Sequence, residues 1–373
     1  MNRNVLTIFG LTLIGIEGVA ILSPAFPEIQ AGLGITKYQV ALLVTAFTLP
    51  GMLLAPIIGV LADRLGRKKV IVPCLFIFGL SGSACAFVDF KAMLVLRFLQ
   101  GIGGSALTSL AVTLIGDLYT GLERAKMLGY NAGVLSLGLA FYPILGGILA
   151  DIGWRLIFLT FFSAIPVGVM AMGLDVDGVY GEPFSGYLKD SLRLFKNRRM
   201  LVAMLSGCTV FIITYGSITI YLSYLLEDRF GLTPDRRGIL IATVFVFVAL
   251  VASNLKLFVS KLGERWTITT GFVSYAVALF IVPFSYSLAV LILALFLYGF
   301  GHGTVLPTLQ NLVVSIAPPE NRGIATTTYG SMVRLGQTVG PIFGSLLVVH
   351  SLDLVFLAFS GLATLFAFIN AVG

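Results

Sequence analysis

"GVLADRLGRKK", residues 59–69, carries five charged side chains in eleven positions: Asp63, Arg64, Arg67, Lys68 and Lys69. The chain around it is 58% hydrophobic and 11% charged. A soluble domain carries about 25% charged residues, so this chain lacks the polar groups to cover a water-facing surface. Charge this concentrated, between two long apolar runs, marks a loop between membrane spans. Runs of about 20 apolar residues are long enough to cross a bilayer as helices. Runs such as "LIATVFVFVALVA" (240–252) show none of the alternation that a barrel strand needs.

Working outward from this loop, the hydropathy predicts helical spans at 5–26, 38–60, 70–88, 92–116, 126–150 and 155–173. A second set is predicted at 200–224, 238–258, 267–285, 288–310, 323–349 and 353–372. The first run lacks a small-residue cleavage site and is kept as a span rather than a signal peptide. Segment 174–199 is the one long polar stretch. The expected organisation is an N-terminal six-helix bundle (1–173), a cytoplasmic linker (174–199) and a C-terminal six-helix bundle (200–373).

The net charge of +7 reads as a topology signal rather than a nucleic-acid surface, because cytoplasmic loops accumulate Lys and Arg. With both termini inside, sixteen of the 24 basic residues fall on the cytoplasmic side and six outside. Arg97 and Arg334 lie within spans. Cys74, Cys85 and Cys208 fall in apolar runs with no metal-ligand spacing, and no cofactor motif is present.

The halves also resemble each other. "LGITKYQVALL" (33–43) matches "FGLTPDRRGIL" (230–240), and "GVLADRLGRKK" matches "KLFVSKLGERW" (256–266). In both cases the offset is the same, and Gly138, Pro143 and Gly146 fall on Gly336, Pro341 and Gly344 at an offset one residue longer. Six crossings per half give two repeats of the same orientation. Transporters built this way bind solute near the midplane, at the repeat interface.

These pieces together resemble the major facilitator superfamily. "GVLADRLGRKK" resembles its signature between spans 2 and 3, with Gly59, Asp63, Arg64, Gly66 and Arg67. "LRFLQGIGGS" (96–105) resembles its span-4 motif, and "WRLIF" (154–158) its entry to span 6. "GLAFYPILGG" (138–147) resembles the span-5 motif of proton-driven exporters, with Gly138, Pro143, Gly146 and Gly147 as packing residues. Tyr142 stands where that motif has Gly before its Pro. The resemblance implies twelve helices in two pseudo-symmetric bundles, working by alternating access. It also implies that Asp63 meets span 11, that Arg97 modulates proton transfer, and that an acid in span 1 couples protons or contacts cationic drugs.

The residues themselves support part of this. Glu17 is the only acid in the middle of a predicted span, and an intramembrane ionisable residue is a functional hypothesis by default. Arg334 lies near the middle of span 11, one turn from Gln337. It suits pairing with Glu17 or attracting an anionic group. His302 in "GFGHGT" and Tyr215 in the hydroxyl-rich span 7 are further substrate candidates. Gly59 is expected to admit a neighbouring helix, with Asp63 one turn later as a gate. Asp117, Glu123 and Arg124 are expected to be interface charges at the cytoplasmic end of span 4.

The expectation is therefore a monomeric, multi-pass cell-membrane transporter, not an enzyme. Its partners are a small-molecule substrate, protons and lipid, and its most favoured activity is proton-coupled efflux of an amphiphilic solute. An uptake carrier or uniporter for a sugar or organic anion is the alternative. An intramembrane enzyme would need a metal or nucleophile cluster, and the sequence offers none.

Overall fold

A peptide N–H or C=O in hydrocarbon must find its partner inside the protein, and a helix supplies one from its own backbone. The computed structural model obeys this throughout: among the described residues it is helical, with no strand. It describes residues 3–174, 194–318 and 322–372, apart from the side chain of Pro56. The linker expected at 174–199 falls mainly on 175–193, outside the described residues, as do Lys189 and Arg193.

The helices are α1 (Arg3–Ala20), α2 (Phe26–Leu33), α3 (Lys37–Leu65), α4 (Arg67–Ala84), α5 (Phe90–Gly104) and α6 (Leu107–Leu118). They continue with α7 (Gly121–Gly153), α8 (Arg155–Leu159), α9 (Ala164–Ala171), α10 (Arg198–Ile213) and α11 (Thr219–Phe230). The rest are α12 (Pro234–Ser253), α13 (Leu255–Ile281), α14 (Leu288–Ile316), α15 (Arg322–Val348) and α16 (Leu352–Val372). Among the described residues, ten helical segments are long and apolar enough to cross a membrane. Arg155–Ala171 is apolar but shorter. Helix α15 has the length, 27 residues, but opens on the polar run RGIATTT. With these two, twelve passes lie among the described residues. It divides into two compact units, Met1–Phe184 with Thr233–Ile239, and Ser185–Leu232 with Leu240–Gly373.

Backbone geometry repeats between the units. Gly34 and Gly231 both end a helix in the left-handed conformation, with φ of 64° and 60°. In each, the next N–H reaches back to a carbonyl of the last turn, Ile35 to Gln30 and Leu232 to Leu226. Gly66 and Gly263, again the same distance apart in sequence, turn the chain with φ of 96° and 74°. A side chain at positive φ is strained, which is why glycine occupies these corners.

Gly263 also corrects a boundary. The sequence reading ended span 8 at 258 and began span 9 at 267. The helix of span 8, α12, stops at Ser253, and a separate helical run from Leu255 reaches 262 before the non-helical Gly263 inside α13. Other spans expected to be continuous are broken. Span 1 stops at Ala20 and resumes through a 3-10 turn at Ser23–Ala25, where Pro24 and Pro27 withhold N–H donors. Span 4 breaks at Ser105–Ala106, after three glycines. Span 6 contains a 3-10 turn at Thr160–Ser163, and span 7 a π-turn at Thr214–Ile218.

Glycines set how the helices pack. In the second unit Gly336, Gly340 and Gly344 on α15 abut the carbonyls of Cys208, Ile212 and Gly216 in span 7, rung against rung every four residues. In the first unit Gly138 on α7 faces Leu13 and Ile16 of α1, and Gly146 abuts the Ile21 carbonyl. The middle rung there is Tyr142 instead of glycine. Gly147 abuts the Pro234 carbonyl, while Gly238 abuts that of Pro143, within the first unit.

A methyl at Gly146 would overlap the Ile21 carbonyl oxygen, whereas one at Gly129 on the same helix meets nothing within 4 Å. We expect Gly146→Ala to destabilise the protein by about 1–3 kcal/mol through overpacking. Gly129→Ala should be neutral, or stabilising by up to about 1 kcal/mol. Thermal unfolding in detergent distinguishes them, and equal melting temperatures would contradict the packing assignment.

Candidate functional site

Glu17 sits in the last turn of α1, 2% exposed. Its carboxylate accepts from Ser163 Oγ at 3.4 Å, and Thr160 also bonds to it. Both hydroxyls lie on the 3-10 turn that interrupts span 6, so a break in one span presents hydroxyls to the acid of another; Thr160 also donates to the Ile157 carbonyl at 2.7 Å. Tyr142 is buried near enough to Glu17 for the two to interact electrostatically. Sequence reasoning noticed Tyr142 only as a departure from the exporter motif. Its position on the middle rung places its phenol beside the α1 acid.

Arg97 is 1% exposed. The guanidinium is therefore held inside the unit rather than extended to the headgroups. Its Nη2 donates to the Gly18 carbonyl at 2.7 Å and its Nη1 to Gln100 Oε1 at 2.6 Å. Its Nε reaches the Leu43 carbonyl at 3.4 Å, and its plane stacks 4.4 Å from the Phe47 ring. The Gly18 carbonyl is available because the helix is ending. The Leu22 N–H that would bond to it turns to Val19 instead. Arg97 thus stabilises the break one residue beyond Glu17, and touches backbone rather than the carboxylate.

The 59–69 stretch, expected to be a loop, is helical at every residue except Gly66, and in it Arg67 rather than Asp63 is the buried centre. It is 5% exposed, pairs with Asp63 one turn back, and reaches Asp117 Oδ2 at 2.9 Å. Asp117, read from sequence only as an interface charge, ties the start of α4 to the end of α6. Gly66 provides the corner that turns Arg67 back toward α3. Arg64 is exposed. The role expected of Gly59 is not met: a Cβ there meets nothing within 4 Å, so it is no close-packing point in this structure.

In the second unit the candidates gather around the π-turn. Tyr215 lies within it, 6.2 Å from Phe211 ring to ring, and interacts electrostatically with half-buried Arg334. Gln337, one turn on, is also half-buried. Thr214 gives its proton to the Val210 carbonyl at 2.7 Å, so Tyr298 is the donor in the 2.7 Å bond between the two hydroxyls. His302 Nδ1 shares a 2.7 Å hydrogen bond with the Tyr275 hydroxyl and stacks on Tyr298. Tyr275 and Tyr298 were not singled out in the sequence. Their spacing from His302 on apolar helices looks like ordinary core.

Sequence reasoning also missed Glu28 and Arg237. Arg237, 1% exposed, pairs with Glu28 of α2. It had been counted only among the basic residues outside. No group of His, Cys, Asp and Glu among the described residues could hold a metal ion.

Ionisable and hydroxyl side chains grouped at breaks in apolar helices are what a membrane carrier of solutes requires. The chain belongs to the Major Facilitator Superfamily, whose model matches residues 8–262 and 204–372. It is a multi-pass membrane transporter, not an enzyme, and resembles the drug-efflux branch. It is 26% identical to the bacillibactin exporter of Bacillus subtilis (strain 168), over 98% of this chain and 95% of that protein. It is 24% identical to the quinolone resistance protein NorA of Staphylococcus aureus (strain Mu50 / ATCC 700699), over 94% of this chain and 91% of that protein. Among solved structures, a bacterial homolog to the human lysosomal transporter Spinster matches with a TM-score of 0.85 at 17% identity, over 99% of this chain and 96% of that one. The nucleoside transporter NupG matches with a TM-score of 0.81 at 15% identity, over 100% and 99%. At these identities the structures share the fold.

Arg97→Ala leaves the Gly18 and Leu43 carbonyls without their charged donor. The expected loss is on the order of 3 kcal/mol, from two hydrogen bonds to a charged group. Arg97→Lys should recover little of it, because an ammonium cannot span the acceptors that the guanidinium fork reaches. Melting curves of the purified variants check this. A wild-type curve for Arg97→Ala would show that the break holds without it.

Proposed function

We propose that this transporter exports an amphiphilic small molecule in exchange for protons, by alternating access. The observation that carries the reading is Glu17: a carboxyl buried in the first span, beside a helix break, with two hydroxyls of its own unit as partners. Such a group can take up and give back a proton without breaking an ion pair. The exporter relatives support the direction of transport.

In this reading Glu17 is the proton site and Arg97 fixes the backbone behind it. Glu17 is also the substrate contact of the first unit, and Tyr215, His302, Arg334 and Gln337 are the substrate contacts of the second. Asp63, Arg64, Gly66 and Arg67 form the cytoplasmic gate, and Gly138, Pro143, Gly146 and Gly147 the packing surface of span 5. The monomer is the working unit, lying in the cell membrane with both termini cytoplasmic, as the distribution of basic residues supports.

Arg334 favours a second reading, an uptake carrier or uniporter for an organic anion or sugar, because its permanent charge suits an anionic group. The readings separate in proteoliposomes. Glu17→Gln should lose transport driven by an imposed pH gradient while keeping solute counterflow. If transport stays proton-driven and only the apparent affinity changes, the exchange reading fails.

The gate has its own test. Asp63→Asn should reach the membrane in normal amount and abolish transport. Undiminished uptake into inverted vesicles would remove Asp63 from the mechanism.

A further inference from the structure

We propose that the second unit carries a binding site for the head group of an anionic phospholipid, separate from the transport residues. The site is a cavity of about 220 Å³. It opens at one end of the bundle, between the first turns of α10, the turn of α13 that follows Gly263, and the last turns of α14 and α16. Its charged lining is Arg198, Arg199, Arg265 and Glu264, and its walls include Val202 and Ile268. Three guanidinium groups against one carboxylate leave a positive cavity, and guanidinium matches phosphate with two parallel donors.

The cavity is built rather than incidental. Asn370 forms part of its wall, donating to Ser206 Oγ at 3.0 Å and to the Phe366 carbonyl at 2.8 Å, which ties α16 to α10. Arg265 donates to the Ala371 carbonyl in the last turn of α16, so its side chain is anchored at the rim. The N–H groups of Arg199 and Met200 are already capped by Asn197. Attraction for an anion therefore rests on the side chains rather than on a bare helix end.

Depth selects a lipid. All four helices are membrane spans, and the cavity lies where they meet the polar zone. Trp266, next to Arg265, is exposed, as are Leu205, about two turns inward from Arg198 on α10, and Phe368 on α16. An exposed tryptophan at a span end marks the interfacial layer. A phosphate held by the arginines would leave its acyl chains against exposed apolar residues. The equivalent first-unit position is different: Arg67 stands where Glu264 does, and it is committed to Asp63 and Asp117.

The test uses the full chain in a neutral detergent, with phosphatidylglycerol retention read by native mass spectrometry. Phosphatidylcholine is the neutral-head control and glycerol-1-phosphate the head group without chains. Phosphatidylglycerol should be retained over phosphatidylcholine, and Arg198→Gln/Arg199→Gln should weaken it. The expected loss is about fivefold per cation removed, roughly 25-fold in all. Lys256→Gln/Lys261→Gln, outside the lining at the same end, should leave retention unchanged. Glu264→Gln should tighten it about fivefold, which keeps the proposal exposed if the double arginine variant fails to fold. Equal retention of the two lipids, unaltered retention in the arginine variant, or no tightening in Glu264→Gln overturns it. Displacement by glycerol-1-phosphate at matching concentration also overturns it, and assigns the cavity to soluble phosphate esters.

Discussion

A carbonyl inside a membrane must have a donor, and this fold is arranged around the places where the helix stops supplying one. The clearest is Gly18. The turn after α1 redirects the Leu22 N–H, and Arg97 reaches across from α5 to take the oxygen left behind. That one bond lets span 1 break without an orphaned polar group. It also sets the last turn of α1, and with it Glu17. The same constraint recurs in the π-turn, where Ser217 donates its hydroxyl to the Ile213 carbonyl. Irregular backbone at membrane depth survives only where protein surrounds it, so breaks and buried polar residues occur together.

The two halves began from one pattern and have diverged where chemistry is concentrated. Glycine corners at 34 and 231, and at 66 and 263, keep the same geometry. Side chains between them do not. Asp63, Arg67 and Asp117 make a compact ion-paired cluster, whereas Ser260 and Glu264 stand at the positions matching Asp63 and Arg67. On the span-5 and span-11 helices, Gly340 permits backbone contact where Tyr142 brings a phenol toward Glu17. The backbone preserves the repeat, and substitutions on it give each unit a different task.

Much of this was legible in the sequence. Twelve passes followed from composition and run length, and the repeat followed from a near-constant offset. Glu17 stood out as a lone acid in a span, where its cost demands a reason. The breaks were less visible. Pro24 and Pro27 announced the one in span 1. At the turns near Ser105, Thr160 and Thr214 the hydroxyls donate to carbonyls of their own helices, those of Ile102, Ile157 and Val210, and Ser and Thr do the same in unbroken spans, so their presence does not single out a break. Arg97 could be found but not interpreted, because its partners are mostly backbone carbonyls, which every sequence has. Gly59 matched a motif and yet has open space beside it, since a motif gives residue type and not the neighbour. Tyr275 and Tyr298 were hidden by their resemblance to core aromatics.

The π-turn in span 7 has a further consequence. A π-turn holds one residue more than the α-helix around it, and Tyr215 rides on that surplus. The surplus is taken up within one widened turn, where the Thr219 N–H reaches back five residues to the Thr214 carbonyl instead of four. The helix on either side therefore keeps its facing, and the contacts of Gly336, Gly340 and Gly344 with the Cys208, Ile212 and Gly216 carbonyls stay in line along the span. Removing a single residue there would close the turn into regular helix and change the side chains at the turn alone. Span 7 can thus gain or lose a side chain at this one point without re-aiming the rest of its face.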